Sequence, residues 1–190
     1  GPTIYKTTNG GIHWTPIILP QDNTLFGIDF VNENTGWVVG SEGLIFKTSD
    51  GGLNWSTYLT NNQEELYDVT FLDDNVGWAV GSTGTMYKTT DAGISWNAKS
   101  SGTNASLWSV FFINENTGWV VGTGGTILKT VNGGEDWEFQ VSGYTTGTWL
   151  QDVFFINENK GWVAGVSGRL LKTENGGNTW TAQVIPTAAS

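Results

Sequence analysis

The sequence has 190 residues, enough for one domain with a sizeable core, and its 27 glycines favour a turn-rich β protein. Eighteen acidic residues against eight basic ones give a net charge of −10, which predicts no binding to nucleic acid because phosphates would be repelled. The absence of cysteine and the single histidine, His13, argue against a metal or other cofactor site. No apolar run reaches the ~20 residues of a membrane helix, so no membrane insertion is expected.

A repeat of 41 to 43 residues organises the whole chain. The predicted single domain, 1–190, starts with a half-repeat over 3–24. Four full repeats follow at about 25–65, 66–106, 107–149 and 150–185. The nonapeptide at 32–40 recurs unchanged at 114–122, which indicates duplication.

Each full repeat divides into four short apolar runs separated by turn residues, which is typical of strands. In the second full repeat these runs are 66–71, 77–81, 85–89 and 96–100. Four strands in about 41 residues are typical of a β-propeller blade. We therefore predict an all-β propeller with four full blades of four antiparallel strands and an N-terminal half-blade, either five-bladed or partial.

A turn block with an acidic or amide residue, a glycine pair and a tryptophan ends the third strand of every repeat. Its polar and aromatic positions are Asn9, Asp50, Asp91, Asn132, Asn175 and Trp14, Trp55, Trp96, Trp137, Trp180. The block resembles the Asp-box, or bacterial neuraminidase repeat, and the whole unit is most similar to the photosystem II assembly-factor-like propeller family. We expect a structural role, in which the side-chain oxygen accepts main-chain N–H groups and the tryptophan is buried.

The repeats do not close a ring by simple counting. Four first–second strand pairs are present but five third–fourth pairs, because residues 4–19 form a hairpin with no inner strands before it. Three explanations remain open: a piece of a longer propeller, self-association through the unpaired half-blade, or irregular packing. The first two residues, Gly1 and Pro2, resemble what a tag-removing protease leaves, so a targeting segment is expected to have been removed.

Candidate binding residues lie in and beside the variable loops between blades, on the face opposite the turn blocks. Trp108 aligns with Phe26, Tyr67 and Gln151 at the start of each first strand, and the longest loop adds Tyr144 and Trp149. The aromatic candidates are therefore Phe26, Tyr67, Trp108, Tyr144 and Trp149. They either bind a peptide or sugar or fill the bore of the ring.

Polar residues raise a second set of hypotheses. Asp68 and Asp152 align next along the first strands and are candidates to face the central channel. The periodic lysines are expected to pack through their stems with their heads in solvent: Lys6, Lys47, Lys88, Lys129 and Lys172. We interpret Glu64 and Glu65 as solvated loop charges, and we expect the nine repeat tryptophans to be buried.

The function predicted from the sequence is a non-catalytic propeller module for protein–protein interaction or scaffolding, in a secreted or periplasmic bacterial protein. Sialidases share the Asp-box but hold their substrate with several arginines, and this chain has only Arg169. The predicted partner is a protein or a second copy of the chain. A carbohydrate-binding propeller, or a non-catalytic part of a glycoside hydrolase, is the alternative.

Overall fold

The computed structural model describes residues 1–60, 62–145 and 147–184. Residue 185, where the last predicted repeat ends, lies outside the described residues, as do positions 61 and 146 in two predicted loops. The strands are β1 Thr3–Lys6, β2 Thr15–Ile18, β3 Leu25–Phe30, β4 Gly36–Gly40, β5 Leu44–Thr48, β6 Ser56–Leu59, β7 Leu66–Phe71, β8 Gly77–Gly81, β9 Met86–Thr89, β10 Asn97–Ala98, β11 Leu107–Phe112, β12 Gly118–Gly122, β13 Ile127–Thr130, β14 Glu138–Phe139, β15 Leu150–Phe155, β16 Gly161–Gly165, β17 Arg169–Thr173 and β18 Thr181–Ala182. Within these ranges no helix has the length and apolar character needed to cross a membrane.

The strands form four four-stranded antiparallel sheets and one two-stranded sheet. We call them blade 1 (β3–β6), blade 2 (β7–β10), blade 3 (β11–β14), blade 4 (β15–β18) and the half-blade (β1–β2). In every blade the strands are paired in sequence order, each with the next. The predicted all-β propeller with four full blades and an N-terminal half-blade is therefore confirmed.

Neighbouring blades meet through their first strands, since β3 packs on β7, β7 on β11 and β11 on β15. The first strands are thus the inner ones. At one end of each blade, the turn after the third strand bonds to the turn after the first, as in Gly51 N–H to the Asn34 carbonyl at 2.8 Å. We call this the turn end. The opposite end, where Thr60 N–H donates to the Gly43 carbonyl at 3.0 Å, is the loop end.

The turn blocks share one hydrogen-bond pattern in all five copies. The side-chain Oδ1 of the acidic or amide residue accepts the main-chain N–H four residues later, at 2.9–3.0 Å. In blade 1, for example, Asp50 holds the N–H of Asn54, and the Thr48 hydroxyl accepts Gly52 N–H at 2.8 Å. Amide and carboxylate perform this role alike, because both present an acceptor oxygen in the same place.

The second strands of blades 1, 2 and 3 each place an indole against the next blade. Trp37 stacks on Phe71 with ring centroids 3.4 Å apart, and Trp119 stacks on Phe155 at 3.5 Å. The Trp37 Nε1 donates to the Ala92 carbonyl in the next turn block at 3.2 Å. A Cβ at Gly93 would lie 2.6 Å from that nitrogen, so the turn needs glycine there to admit the ring.

The same phenylalanines also explain the glycine before each of these tryptophans. A Cβ on Gly77 would lie 2.6 Å from the ring of Phe71 in its own blade. Phe71 therefore packs between the bare backbone of its own second strand and the indole of the preceding blade. The Gly-Trp pair is required for two reasons. The glycine leaves room for the phenylalanine of its own blade, and the tryptophan covers the phenylalanine of the next blade.

We had expected the heads of the periodic lysines to lie in solvent, but those of Lys6 and Lys88 bond to a neighbouring blade. Lys88 Nζ lies 5.1 Å from the centroid of the Trp78 ring and donates to the Gly133 carbonyl of the next blade at 2.7 Å. Lys6 makes the matching bond from the half-blade to Gly51 of blade 1, at 2.6 Å. These two ammonium groups thus link adjacent structural units, because the carbonyls of the positive-φ glycines Gly51 and Gly133 accept from them.

The prediction that all nine repeat tryptophans are buried is wrong. Trp14 is 56% exposed, whereas Trp37, Trp78 and Trp119 are at most 1% exposed. The tryptophans that end the other turn blocks pack edge-on against the phenylalanine closing the first strand of their own blade, as Trp96 does on Phe71. Trp14 belongs to the half-blade, which contributes no first strand and so no such ring.

We predict that Trp119→Ala destabilises the protein far more than Trp162→Ala. Trp119 is fully buried between blades 3 and 4, so its removal leaves a cavity and should cost about 3–5 kcal/mol. Trp162 is the equivalent residue of blade 4, remains half-buried and contacts Lys160 instead of a following blade. Urea unfolding of both variants measures the difference. An equal loss in the free energy of unfolding would contradict the role of Trp119 in joining blades 3 and 4.

Candidate functional site

The inner strand of every blade begins with the same backbone irregularity. The pairing register shifts between the first and third residues of β3, β7, β11 and β15, so the second residue is left out of the ladder. These bulged residues are Phe26, Tyr67, Trp108 and Gln151. A bulge redirects the side chain of the extra residue, and the repeat aims these four at the loop end.

Three of the four bulged residues and one loop residue form a continuous row of rings. Phe26 contacts Tyr67 edge-on at 5.3 Å, Tyr67 stacks on Trp108 at 4.2 Å, and Trp108 stacks on Trp149 at 5.9 Å. We call Phe26, Tyr67, Trp108 and Trp149 the aromatic row. Phe26 and Trp149, at its two ends, are 42% and 47% exposed, while the central rings are half-buried.

Trp149 joins the row through the loop that precedes blade 4. An isolated antiparallel bridge pairs it with Thr123, at the end of the second strand of blade 3. That bridge places the indole of Trp149 beside the indole of Trp108 in blade 3. Tyr144, from the same loop, lies elsewhere: its ring is half-buried against the core between blades 3 and 4, with the Arg169 guanidinium 5.4 Å from its centroid.

Two glutamates that we had interpreted as solvated loop charges are bonded to this end of the blades. The Tyr67 hydroxyl donates to Glu65 Oε2 at 2.5 Å, and the Ser82 hydroxyl donates to the Glu64 carboxylate. Burial and the Glu65 carboxylate raise the pKa of Tyr67 to about 12, so this tyrosine remains a donor. The row is therefore flanked by negative charge.

Beneath the row, acidic side chains bridge neighbouring inner strands. Asp68 Oδ2 accepts Val110 N–H of blade 3 at 2.9 Å, and Asp29 Oδ2 accepts Phe71 N–H of blade 2 at 2.6 Å. Burial raises the pKa of Asp68 to about 6, although three hydrogen bonds to its carboxylate oppose the shift. Asp29 was not among the predicted residues, since threonine or phenylalanine occupies its position in the other blades.

The second predicted channel residue, Asp152, lies on the inner strand of blade 4 and accepts the Ser109 hydroxyl at 3.3 Å. Ser109 also lies close enough to Asp68 to lower the pKa of that carboxyl, so one serine lies between the two carboxylates that we had aligned. In the described part of the chain, no three histidine, aspartate or glutamate side chains are grouped so as to hold a metal ion. The arrangement joins neighbouring inner strands through hydrogen bonds to side-chain carboxylates.

Comparison with known proteins gives the chain a family. A family model described as photosynthesis system II assembly factor YCF48 matches residues 6–66 and 54–141, well over half of the sequence. The chain belongs to the YCF48 family. The suspected resemblance to photosystem II assembly-factor-like propellers is confirmed. A search of curated proteins finds no match.

Solved structures agree with this family. YCF48 from Cyanidioschyzon merolae superposes with a TM-score of 0.71 at 26% identity, over 90% of this chain and 59% of that one. The chain thus spans about three fifths of the length of that YCF48. A YCF48 bound to D1 peptide superposes with a TM-score of 0.60 at 19% identity, over 88% of this chain and 84% of its own.

An enzyme shares the fold as well. An ancestral GH74 enzyme superposes with a TM-score of 0.78 at 16% identity, over 94% of this chain and 28% of its own. Identity this low shows a common propeller architecture and nothing about chemistry. Membership of the YCF48 family, not the likeness to a hydrolase, therefore directs the search for function.

We predict opposite pH dependences for two neutralising substitutions. The pKa of Asp68 is raised from 3.8 to about 6, so ionisation penalises the folded state progressively as pH rises through this range. Asp68→Asn removes that penalty, and its stability relative to the wild type should rise between pH 4 and 7 by at most about 3 kcal/mol. Thermal unfolding across this pH range measures the change.

Asp50→Asn is the control, because hydrogen bonds from Asn54 lower the pKa of Asp50 to about 2. Its carboxylate stabilises the folded state above pH 4, and that contribution is lost as pH falls through about 2. The variant should therefore lose stability relative to the wild type as pH rises from 2 to 4. Parallel curves for Asp68→Asn and the wild type would contradict the assigned shift.

Proposed function

We propose that the chain is a non-catalytic propeller module that binds an extended segment of a protein partner along the aromatic row at its loop end. The observation that carries the proposal is the unbroken contact from Phe26 through Tyr67 and Trp108 to Trp149. Aromatic residues arranged on a rigid frame are frequent anchors of protein interfaces. A solved structure of the family, YCF48 bound to D1 peptide, supports a peptide as the class of ligand.

Charge favours basic side chains in that segment. Glu64 and Glu65 lie beside Tyr67, and Glu42 lies exposed in a turn at the same end of blade 1. Exposed faces of Phe26 and Trp149 attract lysine or arginine through cation–π contacts while still packing on aliphatic stems. The expected ligand is an extended peptide that alternates basic and apolar side chains.

Ring geometry favours a peptide over a carbohydrate. Tyr67 and Trp108 stack with planes 18° apart, and Trp108 and Trp149 with planes 22° apart. The stacked faces inside the row therefore cover one another and leave free faces only at its two ends, whereas a sugar ring needs a free face on which to stack. Absence of catalysis is part of the proposal: Arg169, the only arginine, donates to the Val166 carbonyl at 3.0 Å and lies on Tyr144.

An exported setting, secreted or periplasmic, completes the proposal. It rests on a cysteine-free, strongly acidic sequence, which is compatible with export without requiring it. Scaffolding within a larger exported protein is the form of protein interaction that we favour there.

We predict that peptides selected by the chain lose affinity when Trp149 is removed. Phage display of 12-residue peptides should enrich sequences that combine lysine or arginine with aliphatic residues. Trp149→Ala should weaken the best peptide at least tenfold, because it removes an exposed anchor at modest cost to the core. Glu65→Gln should weaken it less and reduce its dependence on salt.

Phe139→Ala is the matched control, since Phe139 is 58% exposed on the outer strand of blade 3 and makes no ring contact with the row. Failure to enrich any peptide, or equal binding by wild type and Trp149→Ala, would contradict the proposal. A glycan panel read by tryptophan fluorescence tests the carbohydrate alternative. Turnover on a broad panel of glycosidase substrates would overturn the non-catalytic assignment.

A further inference from the structure

A groove of about 880 Å³ separates the half-blade from blade 1, on the turn-end side of the molecule. Its apolar lining comes from Ile4 and Ile17 of the half-blade and from Ile28, Phe30 and Trp55 of blade 1. Among these, Ile28 is 53% and Phe30 is 39% exposed. The groove shares no lining residue with the aromatic row, and the inference drawn from it does not depend on the proposed function.

The complete blades show what normally covers these positions. Residues equivalent to Phe30 are Phe71, Phe112 and Phe155, which are 8%, 7% and 1% exposed. Each is stacked against the second-strand indole of the preceding blade, Trp37, Trp78 or Trp119. Phe30 has the same backbone position and lacks such an indole among the described residues.

Gly52 lines a space of the kind that holds an indole ring at the other blade interfaces. Its equivalents Gly93, Gly134 and Gly177 would each place a Cβ within 3.3 Å of the inserted tryptophan. At Gly52 the same Cβ would meet only Trp55 and Ile17, at 3.4 Å or more. The space that an indole fills at the other three interfaces is therefore present here.

The half-blade is placed as the outer half of a normal blade. Lys6 donates to the Gly51 carbonyl at 2.6 Å, just as Lys88 of blade 2 donates to Gly133 of blade 3 at 2.7 Å. In a complete blade this lysine is paired in register with the second-strand tryptophan, as Lys129 is with Trp119. Strand β1 pairs with β2 on one edge, and its other edge borders the groove.

We propose that this groove binds a two-stranded β-hairpin of the same repeat type, which adds to the free edge of β1 and inserts its Gly-Trp indole between Phe30, Gly52 and Lys6. Strand addition at an exposed edge supplies main-chain hydrogen bonds, and the indole supplies specificity. A complete blade from a second copy does not fit, because its own outer strands would occupy the position of β1 and β2. The occupant is an inner-strand pair alone.

The test uses the whole chain and a fluorescein-labelled peptide of residues 107–122, which carries the inner strands of blade 3 with Trp119. We expect saturable one-to-one binding by fluorescence anisotropy and slower hydrogen exchange in residues 3–6. Trp119→Ala in the peptide should weaken binding at least tenfold. This peptide variant keeps the test independent of how any protein variant folds.

Phe30→Ala in the protein should also weaken binding at least tenfold, and Phe139→Ala, an exposed phenylalanine on the outer strand of blade 3, should leave it unchanged. The proposal is overturned if wild-type and Trp119→Ala peptides bind equally, if Phe30→Ala has no effect, or if no binding occurs up to the solubility limit. Light scattering that shows a dimer abolished by Phe30→Ala would also overturn it, since a second copy would then fill the groove.

Discussion

The stability of this propeller depends on tryptophan side chains that extend from the second strand of one blade into the interface with the next blade. The indole of Trp37 stacks on Phe71 and that of Trp119 stacks on Phe155. Each indole also donates to a main-chain carbonyl in the turn block of the next blade. Burying a tryptophan removes about 200 Å² from water, or about 5 kcal/mol at most. No blade completes its core alone, so folding free energy resides mainly in the interfaces, as in other repeat proteins.

That constraint leaves the identity of the bulged inner-strand residues free to vary. A bulged residue makes no ladder hydrogen bond and fills no interface core, so its identity varies from Phe26 to Tyr67, Trp108 and Gln151. The interfaces fix where each bulge lies. The periodic frame therefore brings three of these residues, Phe26, Tyr67 and Trp108, into one row that Trp149 extends.

Periodicity predicted the strands, the blade count and the residues that align at the bulges, because equivalent positions in a repeat have equivalent local structure. It could not predict contacts that cross from one blade to another. The Lys88 head, the Asp29 bridge to Phe71 and the Tyr67–Glu65 pair depend on how blades are rotated and on loop geometry. Trp149 is the clearest case, since its bridge to Thr123 places it beside a different blade from the one it precedes.

The exposure of Trp14 has the same origin as the groove beside Phe30. Both follow from a hairpin held at the outer position of a blade by Lys6 and Gly51, where the described residues supply no inner strands to fill the space. The effects of filling that space should fall off with distance, because coupling in a repeat array passes through successive interfaces. Phe26 belongs to the blade that borders the groove, whereas Trp108 and Trp149 lie on or beside blade 3. A hairpin in the groove would therefore order one end of the aromatic row and leave the other nearly unchanged, which makes the two surfaces separable in one molecule.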